Sequence, residues 1–268
     1  MADPMTIAGA GLAVLGSKDV LGKLLGPSAE YLGGKASGLI EKCDLNLDDI
    51  FARAFKKIAG RVDEPGQVNA RILKNVVDEG RFVEDGLVAE YYAGLLASSR
   101  TRDGLDDRGL PHLAMVKMMS VYQIRLHFYI YHSILRLFGG KEINVGQHDG
   151  RRRLMVYAPL QGARDVLMPD VNEGEDFESV FLHSINGLYS HGLISEYKYG
   201  SVANINSMYG GADVPGFVVT PTYAGIELFM WAIGAQRPDA HEFLKKRVDD
   251  LTSPISIDSL AVAVNGKG

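Results

Sequence analysis

The residues best equipped for chemistry lie in one short stretch, LLASSRTRDGLDDRG, Leu95 to Gly109. Here Arg100, Arg102, Asp103, Asp106, Asp107 and Arg108 stand between two apolar segments. Three carboxylates this close would serve a divalent cation or acid–base catalysis. A calcium loop of the EF-hand type needs oxygen ligands at alternating positions, glycine at the sixth and glutamate at the twelfth, and the stretch lacks that spacing. Magnesium is less demanding, but three guanidiniums bring competing positive charge to the same place, and neutralised carboxylates are poor ligands. The balance favours an Arg–Asp network that clasps two helices, with Gly104 and Gly109 allowing tight backbone. An active site built on Arg100, Asp103, Asp106, Asp107 and Arg108 is the competing reading.

The other candidate groups lack partners in the sequence. Ser98 and Ser99 have no GxSxG elbow around them. His127 and His132 are five residues apart, on different faces of a helix, and cannot share one metal. His183 and His191 have no carboxylate motif between them, and Cys43, the single cysteine, has no companion thiol. No GxxxxGK[ST], HExxH or strand-borne GxGxxG occurs, and the glycine-rich IAGAGLAVLG has no preceding strand. No catalytic residue, metal ligand or cofactor is therefore assigned.

These groups must be positioned by a chain of 268 residues with 46% hydrophobic and 23% charged content, which is globular composition. The expected fold is mainly α with a small β part. It comprises an N-terminal small-residue helical segment (1–26), a helical domain (27–145), a winged-helix-like domain (146–250) and a flexible tail (251–268). Within the helical domain, Ser28 is a cap for AEYLGGKASGLIEK, and Asn46 for LDDIFARAFKKIAG, where Leu47, Ile50, Phe51, Ala54 and Ile58 form one apolar stripe. ARILKNVVDEG is a short helix with Ile72, Leu73, Val76 and Val77 inward, and EDGLVAEYYAGLLASS is another, opened by Glu84 and Asp85. Leu110 to Phe138 is one long helical segment, interrupted by too many charged and polar residues for a membrane span. The domain boundary is expected at the glycines between Gly139 and Gly150.

Further on, FESVFLHSINGLYSHGLI predicts a helix with Gly192 just past its end. SEYKYGS and FVVTPT predict strands separated by a loop, VANINSMYGGADVPG, and Thr220 with Pro221 predicts the start of a last helix. Helix, strand, loop, strand, helix is the order of a winged helix. That order raises nucleic acid binding, but charge opposes it. Residues 1–145 hold 18 basic and 18 acidic side chains, so the whole net charge of −5 lies downstream, and from Asp176 to Ala232 Lys198 is the only lysine or arginine. Phosphate contacts supply most nucleic acid affinity, so nucleic acid is not an expected partner. Phe229, Met230, Trp231 and Ile233 give the last helix nearly continuous apolar surface, which suits burial against the first domain or a second chain.

At the N-terminus, the apolar run Met5 to Gly16 is about half the ~20 residues a membrane span requires. Its alanines and glycines permit close helix approach. It reads either as a frayed or docked helix or as an interfacial, self-associating segment.

LLGPSAEYLG (Leu24–Gly33), NARILKNVVDEG (Asn69–Gly80), EYYAGLLASSRTRDGLDDRG and SVYQIRLHFYIYHSIL together resemble the Abi-alpha, or abortive infection alpha, family over about residues 20–235. The polar turn and the string containing Gln123 and Arg125 are the specific part. The resemblance implies a bacterial phage-defence role with membrane association, and it carries over no catalytic residue. The expected function is abortive infection without catalysis, by homo-oligomerisation and membrane contact of residues 5–25, in response to a phage or host protein trigger. The alternative is a nucleic-acid-binding regulator. Arg100, Arg102, Asp103, Asp106, Asp107, Arg108, Gln123, Arg125 and Trp231 are the structural or interaction candidates. The expected location is the cytoplasm, with peripheral contact at the inner membrane.

Overall fold

The computed structural model describes residues 45–169, 176–248 and 262–263. The N-terminal segment 1–26, the Ser28 cap, Cys43 and all of the tail 251–268 except Val262 and Ala263 lie outside the described residues. The fold is mainly α-helical with a small antiparallel sheet. It forms two compact units, one running to Lys117 and taking in Trp231–Pro238, the other made of Met118–Met230 and the residues from Asp239.

Along the chain the first unit gives way to the second between Lys117 and Met118. The apolar segment Leu110 to Phe138 is two helices, α4 (Leu110–Met118) and α5 (Val121–Phe138), separated at Ser120. Ser120 accepts from the Gln123 backbone N–H and the Gln123 side chain accepts from the Ser120 N–H, a reciprocal capping box that starts a new helix.

In the first unit, α1 (Leu45–Ile58), α2 (Ala70–Gly80) and α3 (Gly86–Ser98) pack on one another. The stripe Leu47, Ile50, Phe51, Ala54 and Ile58 is buried as the spacing predicts. Asn46 is not the cap: it lies inside α1, and its amide donates to the Arg81 carbonyl at 3.0 Å. True caps stand at Asn69, which accepts from the Arg71 and Ile72 amides, and at Asp85, which accepts from Leu87 and Val88. α3 is buried nearly all round, including Glu90, whose carboxylate lies 2.7 Å from both Arg53 and Lys57. A methyl group on Gly94 of α3 would stand 1.7 Å from the Ala232 carbonyl oxygen, so this position has room only for hydrogen.

In the second unit, α5 carries α7 (Leu160–Leu167) and α8 (Phe177–Ser190) against it; α6 (His148–Arg152) precedes the sheet in the chain. The sheet contains β1 (Val156–Pro159), β2 (Ile194–Gly200), β3 (Gly216–Pro221) and a two-residue β4 (Val262–Ala263), in the order β2-β3-β1-β4, with every pairing antiparallel. β1 and α7 were not expected. β1 is a four-residue strand with Val156, Tyr157 and Ala158 buried, too short to show a period. The glycine-rich segment after β2 is not all loop, since Ser201 caps a helix, α9 (Val202–Asn206). Ile205 of α9 packs with Met155, Tyr157 and Val218 in a small core of its own.

The last helix, α10 (Tyr223–Ala232), starts later than Thr220–Pro221 predicts. Both residues complete β3, and Thr222 does the capping. Its hydroxyl accepts from the Gly225 amide and donates to the Gly192 carbonyl. Gly192 itself takes left-handed backbone, φ 68°, just past α8 as expected. The C-terminal tail is not free over its whole length, because Val262 and Ala263 pair with Tyr157 and Val156.

Candidate functional site

The polar turn does two separate things. Its backbone docks on the loop before α2. Gln67 and Thr101 exchange backbone hydrogen bonds of 2.8 and 3.0 Å, the Gln67 amide donates to the Asp103 carbonyl, and the Asn69 amide donates to the Gly104 carbonyl at 3.0 Å. Gly104 has φ 65°, and a Cβ there would meet the Gln67 side chain at 2.6 Å, so glycine is required at this contact.

Its three aspartates are engaged locally. Asp103 accepts from the Thr101 hydroxyl at 2.9 Å and the Leu105 amide at 3.1 Å, bonds that hold its carboxyl below the usual range, the Leu105 amide most strongly. Asp106 takes both forks of the Arg108 guanidinium, at 2.9 and 2.6 Å, which lowers its pKa as well. Asp107 meets Arg71 of α2 at 2.8 Å. The turn is docked by its backbone and by these local pairs, and among the described residues neither Arg100 nor Arg102 pairs with an aspartate.

Arg100 is only 7% exposed and serves backbone instead. It donates to the Glu64 carbonyl at 2.6 Å and to the Arg61 carbonyl at 3.4 Å, while its Nε–H is buried with no acceptor. With Arg61, Arg102 and Arg237 it lines a cleft of about 350 Å³ that also includes Glu64 and Asp106. Arg61 donates to the Ala97 carbonyl at 3.1 Å. Burial lowers the pKa of both Arg61 and Arg100, and the nearby Arg100 charge lowers that of Arg61 further. Arg237 is the only described non-glycine residue with positive φ, 51°. No local spacing marks this cleft, whose arginines come from the turn after α1, from the polar turn and from the segment after α10.

The remaining candidates are structural. Gln123 is the buried reciprocal cap of α5, with its amide so close to Gly187 that a Cβ there would meet it at 1.8 Å. Arg125 donates to the Leu167 carbonyl at 2.8 Å, tying α5 to the end of α7. Trp231 is 2% exposed, accepts at its carbonyl from the Ser98 hydroxyl at 3.1 Å, and stacks on His112 at 5.8 Å between ring centroids. Burial pushes the His112 pKa down to about 4. His127 donates from Nε2 to the Gly225 carbonyl, 3.1 Å away.

One pair at reacting distance is missing from the sequence reading. The Ser120 hydroxyl lies 3.0 Å from Nε2 of His183, a residue 63 positions away. The same hydroxyl caps α5 by accepting from the Gln123 amide, and among the described residues no carboxylate is paired with the ring as the third member that activates a serine. Among the described residues no group of three or more His, Cys, Asp or Glu is arranged to hold a metal, and no helix is long and apolar enough to cross a membrane. Compared with protein-family models, curated proteins and solved structures, the chain matches none of them.

Proposed function

We propose that this chain is a bacterial anti-phage defence protein of the Abi-alpha kind, acting by assembly and surface contact, with residues 5–25 as its effector arm. The observation that carries the reading is the engagement of the polar turn. Asp103, Asp106 and Asp107 are each held by a neighbouring group of the protein, and the turn's backbone is locked to the loop before α2. The strings that resemble the family therefore coincide with architecture, as expected of a scaffold that presents surfaces. The buried Gln123 cap and the Arg125 tie, both in the second such string, support the same reading.

The test is phage challenge of cells carrying the full chain or a chain lacking residues 1–26, with circular dichroism on both proteins. Loss of protection with the helical spectrum retained supports an effector arm. Full protection by the shortened chain overturns it. Sedimentation of the purified protein, with and without anionic liposomes, measures the assembly and membrane contact directly.

A nucleic-acid regulator is the second reading. The order β1, α7, α8, β2, α9, β3 is compatible with a winged helix interrupted by α9, in which α8 would take the place of the recognition helix. Against it, α8 carries no lysine or arginine, and Lys198 on β2 donates to Ser207 at 2.6 Å. A salt-dependent gel shift that disappears in an Arg152→Ala/Arg153→Ala variant would favour this reading over the first.

A further inference from the structure

We propose that the arginine cleft of the first unit is a binding site for a phosphate-class oxyanion carried by a small molecule. The inference stands on the cleft alone and does not depend on the defence reading.

Arg61, Arg100, Arg102 and Arg237 line one cavity, and none of the four has an ion pair among the described residues. Of the two described carboxylates there, Asp106 is already neutralised by Arg108, which leaves the exposed Glu64 against four guanidiniums. A stable interior would normally answer a buried cation with an acid, because an unpaired charge taken out of water is strongly unfavourable. Here Arg100, more than nine-tenths buried, finds only two carbonyl oxygens, and its Nε–H finds nothing. Those carbonyls hold the guanidinium in place without cancelling its charge.

Guanidiniums match phosphate in shape, since each offers two parallel donors to two oxygens of one group. A cleft of about 350 Å³ lies at the small end of ligand pockets. Among the described residues no aromatic side chain lines it to stack a nucleobase. The chemistry recognised is the phosphate group itself, free or attached to a small carrier. The left-handed backbone at Arg237 is the kind of local strain that persists where a side chain must be aimed at a ligand.

The test is isothermal titration of the full chain with pyrophosphate and, separately, with ADP, at constant ionic strength near physiological salt. The expected result is saturable binding at one site with Kd below about 1 mM. Arg102 and Arg237 are exposed, so their replacement should leave the fold intact. Arg102→Gln/Arg237→Gln should weaken binding by roughly tenfold or more. Arg152→Gln/Arg153→Gln, outside the cleft, should change it less than about twofold. Equal affinity for pyrophosphate and ADP assigns the site to the phosphates alone. Tighter ADP binding assigns it to a nucleotide. Absence of saturable binding by both ligands, or affinity unchanged in the cleft variant with its circular dichroism spectrum intact, overturns the proposal.

Discussion

Asn69 and Gly104 are joined by a single 3.0 Å hydrogen bond, from the Asn69 amide to the Gly104 carbonyl, and the same asparagine caps α2 through its other side-chain atom. One buried side chain thus begins a helix and fixes the polar turn. Asn69→Ala should lose both the cap and the clasp and leave the Gly104 carbonyl unsatisfied, a cost of about 2–3 kcal/mol. Asp107→Asn, which breaks only an exposed pair with Arg71, should cost less than about 1 kcal/mol. Urea unfolding of both variants measures the contrast. Equal losses would mean that the ion pairs, not the backbone docking, hold the turn.

Among the described residues Glu90 is the one carboxylate that meets both Arg53 and Lys57, and it is 4% exposed. Glu90→Ala would leave the mostly buried Lys57 ammonium without a counter-ion. The expected loss is about 3 kcal/mol, seen as a lower urea midpoint. Arg53 retains Asp49 at 2.7 Å and should matter less when Asp49 alone is removed, because that pair is more exposed.

Gly94→Ala tests close packing rather than charge. The added methyl would overlap the Ala232 carbonyl, a backbone atom that cannot rotate away. The variant should lose roughly 3 kcal/mol or fail to fold. By contrast, Gly210→Ala meets nothing within 4 Å and should be neutral to within about 0.5 kcal/mol. Thermal melts followed by circular dichroism compare the two.

His112 and His132 give the molecule a predictable acid sensitivity. Burial depresses both pKa values from 6.5 to about 4 in the folded chain, with the Arg136 charge a second contribution for His132. Above about pH 6.5 both histidines are neutral folded and unfolded, and neither affects stability. As pH falls from 6.5 toward 4, the unfolded chain takes up protons that the folded chain refuses. Stability should therefore decline by about 1 kcal/mol per pH unit for each histidine, and level off below about pH 4. Urea midpoints from pH 7 to 4.5, for the parent and for His112→Gln, check the slope. An unchanged slope in the variant would remove His112 from this account.

Where local chemistry repeats or caps, the sequence announced the structure. The stripe on α1, the Asp85 start of α3 and Gly192 after α8 all followed from spacing and residue type. The split at Ser120 was masked by continuous apolar composition, although the Ser-x-x-Gln signature stood there to be read. β1 is fully buried over three of its four residues, so it carries no alternation to betray it. The arginine cleft was invisible for a different reason. Arg61 and Arg237 are 176 positions apart, and only folding brings Arg237 beside the polar turn.

β4 is only two residues long, yet it covers the outer side of β1, where Val156 and Tyr157 would otherwise present open amides and carbonyls. Pro159, with no N–H to offer, blunts the rest of that border. A chain clipped before Val262 would therefore expose a template for strand exchange, and separate molecules could trade or stack this border. Two residues from the far end of the chain thus close the Val156–Tyr157 part of that border, while β2 forms the opposite edge.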